Sequence, residues 1–182
     1  MTWHERMRDS AVASNIPSSW RGIVAGYLAG GDPYHVWTRA DWQRFAGQPK
    51  LPVHVRSNPV VAEATVDAIE ALHSLYTIGA PRGCLTALDL ETAVNPSYVS
   101  AYGSVLHWAG FLVWVYGSES TVFGNPPLDG YWAAGYRGTG PYMDPHPLVR
   151  ATQYADSAHG SGGPWDSSTV RWWQQVHAPW WR

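Results

Sequence analysis

Apolar and polar positions alternate between two patterns along the first two thirds of the chain. Short apolar runs at residues 22–28, 51–57, 84–91 and 111–116 are typical of buried strands. Longer amphipathic segments with helical spacing separate them. Four strands alternating with three helices predict a parallel α/β fold.

The segments between the strands carry residues that begin and end helices. Thr38, with Asp41 three positions later, forms a capping-box pattern. Asn58 before Pro59 is the expected N-cap of a second helix, because proline suits the first helical position. Helices are predicted at residues 39–47, 58–79 and 96–109.

The pattern becomes shorter after residue 117. It predicts a brief helix at 118–123 and strands at 130–136 and 148–154, and it is ambiguous at 165–170. Six or seven strands with weakening helices predict a single-domain α/β fold. The expected form is an irregular (β/α) TIM-like barrel in which fewer than eight units need be regular, with an open doubly wound sheet as the alternative.

The predicted domain organisation has three parts. Residues 1–20 are interpreted as an N-terminal lead-in, 21–170 as the barrel, and 171–182 as a Trp-rich tail. The N-terminus lacks the apolar core of a secretory signal, which predicts a protein that is cytoplasmic as synthesised.

Composition excludes several functions. A net charge of −2, with 14% charged residues, argues against nucleic-acid binding, and no apolar run is long enough to span a bilayer. No glycine-rich phosphate loop follows a strand. Cys84 is expected to be a buried structural thiol, and the eight histidines show no metal-ligand spacing. Neither a metal nor a cofactor is predicted.

Two carboxylates close the strand that ends at residue 91. Asp89 and Glu91 are two positions apart, so an extended strand would direct them to one side. Active sites of parallel α/β folds collect at this end of the strands. A carboxylate pair whose pKa values differ is what glycoside hydrolysis requires. The alternative is structural, with Glu91 capping the next segment and Asp89 paired with a buried arginine.

Aromatic residues are the other unusual feature. Twelve Trp and ten Tyr exceed what a core of this size needs. Their rings stack on sugars and also serve protein interfaces. Candidate sugar ligands near strand ends are Tyr116, Trp132, Gln153, Tyr154 and Arg56. Core packing is the alternative for the aromatic residues and Gln153, and a salt bridge to Asp89 is the alternative for Arg56.

The order of these motifs resembles a known family. Segments 22–28, 88–91, 113–118, 131–132, 151–154 and 165–166 resemble glycoside-hydrolase-like domains of unknown function in actinobacteria and their phages. Those domains are distant relatives of the lysozyme-type family 25 muramidases. The resemblance spans roughly residues 20 to 170 and implies an irregular β/α barrel.

The resemblance also implies site residues. Glu91 matches the general acid/base, Asp89 the carboxylate beside it, and Asp166 a late aspartate that follows a Gln-Tyr strand. Active muramidases usually carry an aspartate in the first strand, and residues 22–26 have none. Asp32, in the following loop, is the candidate substitute.

Together with the carboxylate pair, the resemblance implies a glycosidase that acts on a cell-wall polysaccharide of the peptidoglycan type, either as a phage-encoded protein or at the wall after release from the cell. The alternative is a catalytically inactive protein of the same fold, which binds carbohydrate or has a structural role in the wall or virion.

Overall fold

Eight strands form a closed barrel in chain order. The structure, a computed structural model, describes residues 5–31, 36–136, 140–158 and 160–171. The strands are β1 (Glu5–Asp9), β2 (Ile23–Tyr27), β3 (Lys50–Val55), β4 (Leu85–Asp89), β5 (Leu112–Ser118), β6 (Gly130–Ala134), β7 (Val149–Ala155) and β8 (Asp166–Val170). The α-helices are α1 (Arg39–Gln43), α2 (Ala64–Ile78), α3 (Pro96–Trp108) and α4 (Glu119–Phe123).

The last strand runs against the others. Strands β1 to β7 pair in parallel, whereas β8 is antiparallel to both β7 and β1. The start of β8 therefore lies at the same end of the barrel as the carboxyl ends of β1 to β7. The predicted irregular barrel is confirmed, and closure excludes the open-sheet alternative.

The barrel wall lies between two apolar layers, one inside the barrel and one between the wall and the helices. Its interior is filled by side chains that include Met7, Leu51, Trp114 and Trp132, all buried. Outside the wall, helices α2 and α3 pack against each other, and α3 packs on β5, within a larger apolar cluster that also includes outward residues of β2 and β4. Large indole rings inside the barrel exclude water and leave the open space at the carboxyl ends of the strands.

Strand β1 corrects the interpretation of residues 1–20 as a lead-in, because these residues supply the strand that closes the barrel. Four of its five residues are charged, so its hydropathy hides it. Only the inward positions are buried, as alternation across a strand requires. The outward Arg8 is covered by two indoles, lying 4.1 Å from the Trp20 ring centroid and 4.0 Å from that of Trp165.

Helix starts were predicted with mixed success. The capping box between Thr38 and Asp41 is present, with Asp41 N–H donating to Thr38 Oγ1 at 3.2 Å. The Asn58 N-cap was wrong, because α2 begins at Ala64 after a 3₁₀ turn at Val61–Glu63. The Pro59 carbonyl accepts a hydrogen bond from Asn95 Nδ2 at 2.9 Å, which holds this segment against the start of α3.

Two further expectations concern a membrane span and the Trp-rich tail. Within the described ranges, no helix is long and apolar enough to cross a membrane. The Trp-rich tail, from residue 172 onward, lies outside the described residues.

We expect the Met7→Ala substitution to destabilise the fold by about 2–5 kcal/mol, because Met7 is 1% exposed in the barrel interior. The control is Arg6→Ala on the same strand, whose side chain is exposed and should cost less than about 0.5 kcal/mol. Urea unfolding measures both. Equal, negligible effects would mean that β1 does not belong to the barrel.

Candidate active site

Four carboxylates from three strands meet at one end of the barrel. Asp9, Asp89, Glu91 and Asp166 all line a cleft of about 340 Å³. The rest of the lining is aromatic or uncharged: Ser10, Ala11, Asn15, Tyr27, Val55, Ser157, Pro164 and Trp165. Its volume lies in the range of pockets that hold small ligands.

Barrel geometry brings three of these acids together. Asp9 ends β1 and Asp89 ends β4, so both side chains reach the carboxyl end of the parallel strands. Asp166 begins the reversed strand β8 and is paired directly with Asp9. Asp9 and Asp89 are buried, whereas Asp166 is partly exposed. Two carboxyl groups therefore face each other in the barrel wall.

Glu91 reaches the cleft by a turn rather than along the strand. Strand β4 ends at Asp89, and Glu91 has a left-handed φ of 53°, which is unusual for a residue other than glycine. Its N–H donates to Asp89 Oδ1 at 2.9 Å. Its carbonyl accepts from Ser118 N–H at 3.1 Å and Thr121 Oγ1 at 3.2 Å. The prediction of an extended strand through Glu91 was wrong, although both acids face one cleft.

The crowding of carboxylates changes their acidity. Burial raises the pKa of Asp9 well above its usual value, and the charges of Asp166 and Asp89 raise it further. Burial raises the pKa of Asp166 to about 6, with Asp156 adding to the rise. Buried acids beside one another cannot all ionise, so this site holds protons near neutral pH.

Three predicted ligands lie in or beside the barrel interior. Trp132 is buried, and its Nε1 donates to Ser168 Oγ at 3.1 Å, so it is a core residue. Gln153 is buried and Tyr116, in register with Asp89, is partly exposed, and the two side chains are hydrogen-bonded to each other. Gln153 Nε2 also donates to Asp166 Oδ2 at 2.7 Å. None of the three is part of the cleft lining.

Two other predicted ligands lie away from the cleft, and Asp32 is outside the described residues. Arg56 forms ion pairs with Glu63 at 2.9 Å and Asp67 at 2.8 Å, which attach the end of β3 to α2. These acids, and not Asp89, take its side chain. Tyr154 lies near the guanidinium of Arg8 and does not line the cleft.

Sequence reasoning missed Asp9. The resemblance implied an aspartate in the first strand, and residues 22–26 were taken as that strand. The first strand is β1, and its last residue is Asp9. The alternation of Met7 and Asp9 among outward charges was the available signal, since it places both on one face.

The arrangement suits acid/base chemistry on a neutral substrate. It combines an exposed carboxylate, Glu91, with buried acids that share protons. Among the described residues, no group of three or more His, Cys, Asp or Glu side chains could hold a metal ion.

The fold is shared with several solved structures. An uncharacterized B. stearothermophilus protein superposes with a TM-score of 0.70 at 17% identity, covering 91% of this chain and 95% of that one. GHIP, a glycosyl hydrolase 25 of Streptococcus pneumoniae, has a TM-score of 0.64 at 12% identity, with 97% and 89% covered. The modular Cpl-1 endolysin, complexed with a peptidoglycan analogue, has 0.66 at 16% identity, with 94% and 55% covered.

These likenesses establish the fold alone, because at 12–17% identity the shared backbone does not carry a shared activity. The resemblance to family 25 muramidases is confirmed at that level. No family model matches the sequence, and no curated protein matches it.

We expect Asp9→Asn to become more stable relative to the wild type as pH rises from 4 to 8. An acid whose native pKa is raised stabilises the fold at low pH, and this contribution is lost as the pH rises towards its native pKa. Asparagine has no such proton to lose. The difference in free energy of unfolding should grow by at least about 1.4 kcal/mol, the equivalent of one pKa unit.

Urea unfolding at several pH values measures this difference. The control is Glu5→Gln, at the exposed opposite end of β1. A difference for Asp9→Asn that stays constant with pH would contradict the assignment of a protonated Asp9.

We expect Gly117→Ala to disturb the Glu91 turn. Gly117 has a φ of 156°, and a Cβ there would lie 2.7 Å from the Glu91 carbonyl oxygen. The matched control is Gly47→Ala, which has a φ of 76° but nothing within 4 Å of the added Cβ. Backbone strain costs each about 1–3 kcal/mol, and the clash adds about 1–3 kcal/mol at Gly117 only. Denaturant unfolding should show this excess; equal losses would mean that the contact is unimportant.

Proposed function

We propose that this protein is a glycosidase that hydrolyses the glycan of bacterial cell walls. The observation that carries the proposal is the group of four carboxylates around one cleft at the carboxyl end of the barrel. Glycoside hydrolysis needs one carboxylic acid to protonate the leaving oxygen and another carboxylate to stabilise the developing positive charge.

Glu91 is the proposed general acid/base. Its side chain is exposed at the cleft, where a glycosidic oxygen can approach it, and its backbone is fixed by three hydrogen bonds. A fixed carboxyl can transfer a proton without first losing conformational freedom. After the bond breaks, the resulting carboxylate can take a proton from water.

Asp89 is the proposed partner carboxylate. It lies beneath Glu91 and accepts the Glu91 N–H, so the two acids move as one unit. The charge of Asp89 would stabilise an oxocarbenium-like sugar in the cleft. Asp166 is the proposed auxiliary acid on the opposite wall, and Asp9 takes the auxiliary role that was assigned to Asp32.

The comparisons support a cell-wall glycan as the substrate. The Cpl-1 endolysin was solved with a peptidoglycan analogue, and GHIP is a glycosyl hydrolase 25. The uncharged lining beside the acids, which includes Asn15, Ser157 and Trp165, suits sugar hydroxyls and an apolar sugar face. A wall-binding protein without activity was favoured by a missing first-strand aspartate, and Asp9 removes that support.

We expect Glu91→Gln to lower the rate of wall hydrolysis by about 10²–10⁴-fold, because glutamine keeps the shape but has no proton to transfer. Release of reducing sugar and loss of turbidity from purified cell walls measure the rate. The control is Glu70→Gln on the exposed face of α2, which should hydrolyse walls at the wild-type rate.

Two results would contradict the proposal. Hydrolysis that survives in folded Glu91→Gln would place the acid elsewhere. Absence of hydrolysis in the wild type, together with co-sedimentation on the same walls, would favour a binding role.

A further inference from the structure

A hydrogen-bonded chain that starts at Tyr116 ends on Asp166. The Tyr116 hydroxyl donates to Gln153 Oε1, and Gln153 Nε2 donates to Asp166 Oδ2 at 2.7 Å. Gln153 is 0% exposed, Tyr116 is partly exposed, and neither side chain lines the cleft. Gln153 can therefore act on a sugar only through Asp166, and the Tyr116 hydroxyl is directed to Gln153.

An ionised Asp166 carboxylate only accepts hydrogen bonds, so the Gln153 amide faces it with Nε2 and turns Oε1 to Tyr116. The Tyr116 ring lies against Trp132 with centroids 4.4 Å apart, and Gln153 is paired with Ser168 across β7 and β8. Burial raises the pKa of Tyr116 well above its usual value, so its hydroxyl keeps its proton and can donate. With the Tyr116 hydroxyl donating a hydrogen bond to Gln153 Oε1, the other end of the amide presents its N–H to Asp166.

Asp9, opposite Asp166, has a different environment. Its Oδ1 is buried and has no hydrogen-bond partner among the described residues, and its carboxyl receives a hydrogen bond from the backbone N–H of Asp9 itself. Each hydrogen-bond donor favours the ionised form of a carboxyl, whereas burial favours the neutral form. The pair is thus unequal, although both members are aspartates on adjacent strands.

We propose that Gln153 and Tyr116 are positioning residues that keep Asp166 ionised and leave the proton of the Asp9–Asp166 pair on Asp9. This inference deepens the proposed function. The protonation states of the pair do not depend on that function, but their effect on hydrolysis does. The other titratable groups that act on the pair surround the cleft: Asp89, Glu91, Asp156, Tyr27 and Tyr136. Because these acids and tyrosines carry no positive charge, the Gln153 N–H and the Ser157 backbone N–H supply the support for the Asp166 carboxylate.

The experiment is a titration of aspartate carboxyl carbons by NMR in the full chain without substrate. Asp166→Asn assigns the Asp166 resonance. In Gln153→Met we expect the Asp166 midpoint to rise by about one pH unit, because a hydrogen bond to the charged form is lost. Tyr116→Phe should raise it less, since the amide remains but its orientation is released.

The matched control is Tyr131→Phe, which removes another buried tyrosine hydrogen bond, to the Asn125 carbonyl at 2.7 Å, away from the cleft. It should leave the Asp166 midpoint unchanged. An unchanged midpoint in folded Gln153→Met and Tyr116→Phe would overturn the proposal. Tyr116→Phe keeps the ring, so it provides the test if Gln153→Met does not fold.

Kinetics on soluble wall fragments give an independent readout. We expect the acidic limb of kcat/KM to move to higher pH in Gln153→Met, with KM unchanged. A raised KM with an unmoved limb would show that Gln153 contacts the sugar and would overturn the positioning role. If the wild type shows no hydrolysis, the proposed function fails, whereas the titration still decides this inference.

Discussion

The direct pairing of Asp9 with Asp166 is the constraint on which the site depends. Strand β8 closes the barrel in reverse, so its first residue faces the last residue of β1. Two acids opposite each other on one face repel when both are charged. The fold therefore contains a local arrangement that costs stability, as functional sites often do. A barrel closed by a parallel eighth strand would place the start of that strand at the other end.

The remainder of the molecule compensates for this arrangement. Buried indoles of Trp114 and Trp132 fill the barrel below the acids, which keeps water out and makes charge separation expensive. Outside, the Arg8 guanidinium of β1 lies between the rings of Trp20 and Trp165, beside the β1–β8 seam. Cation–π contacts therefore stabilise the seam that carries the acidic pair, and one of the two indoles, Trp165, also lines the cleft.

The sequence predicted the elements whose hydropathy reflects burial. Strands β2 to β5 are mostly apolar because both faces are covered, and their alternation with helices indicated the barrel. Strand β1 is mostly charged, because its outward side chains are not buried and its inward face ends in an acid. Strand β8 is mostly polar although four of its five residues are buried, because small hydroxyl side chains fill three of these four positions. The hydropathy of both strands therefore concealed them. The sequence did predict Asp89 as a site residue, because it ends an apolar strand that the hydropathy pattern reveals.

The errors in the candidate site have a common physical origin. Sequence spacing predicts which side chains share a face, but it does not reveal competing partners. Arg56 pairs with Asp67 on α2, and Asp67 also accepts a hydrogen bond from the Tyr98 hydroxyl of α3 at 2.7 Å. Likewise, Glu91 leaves the strand because its N–H donates to Asp89 and its carbonyl accepts from Ser118 and Thr121, which stabilises a turn.

That turn separates the roles of two acids only two positions apart. An extended strand would have placed Asp89 and Glu91 in similar surroundings along one face. The turn instead leaves Asp89 in the buried interior and brings Glu91 to the surface of the cleft. Different solvation is what allows neighbouring carboxyl groups to take different protonation states. The left-handed residue at position 91 therefore follows from the chemistry that the proposed site requires, in which one acid must meet the substrate while its partner stays beneath it.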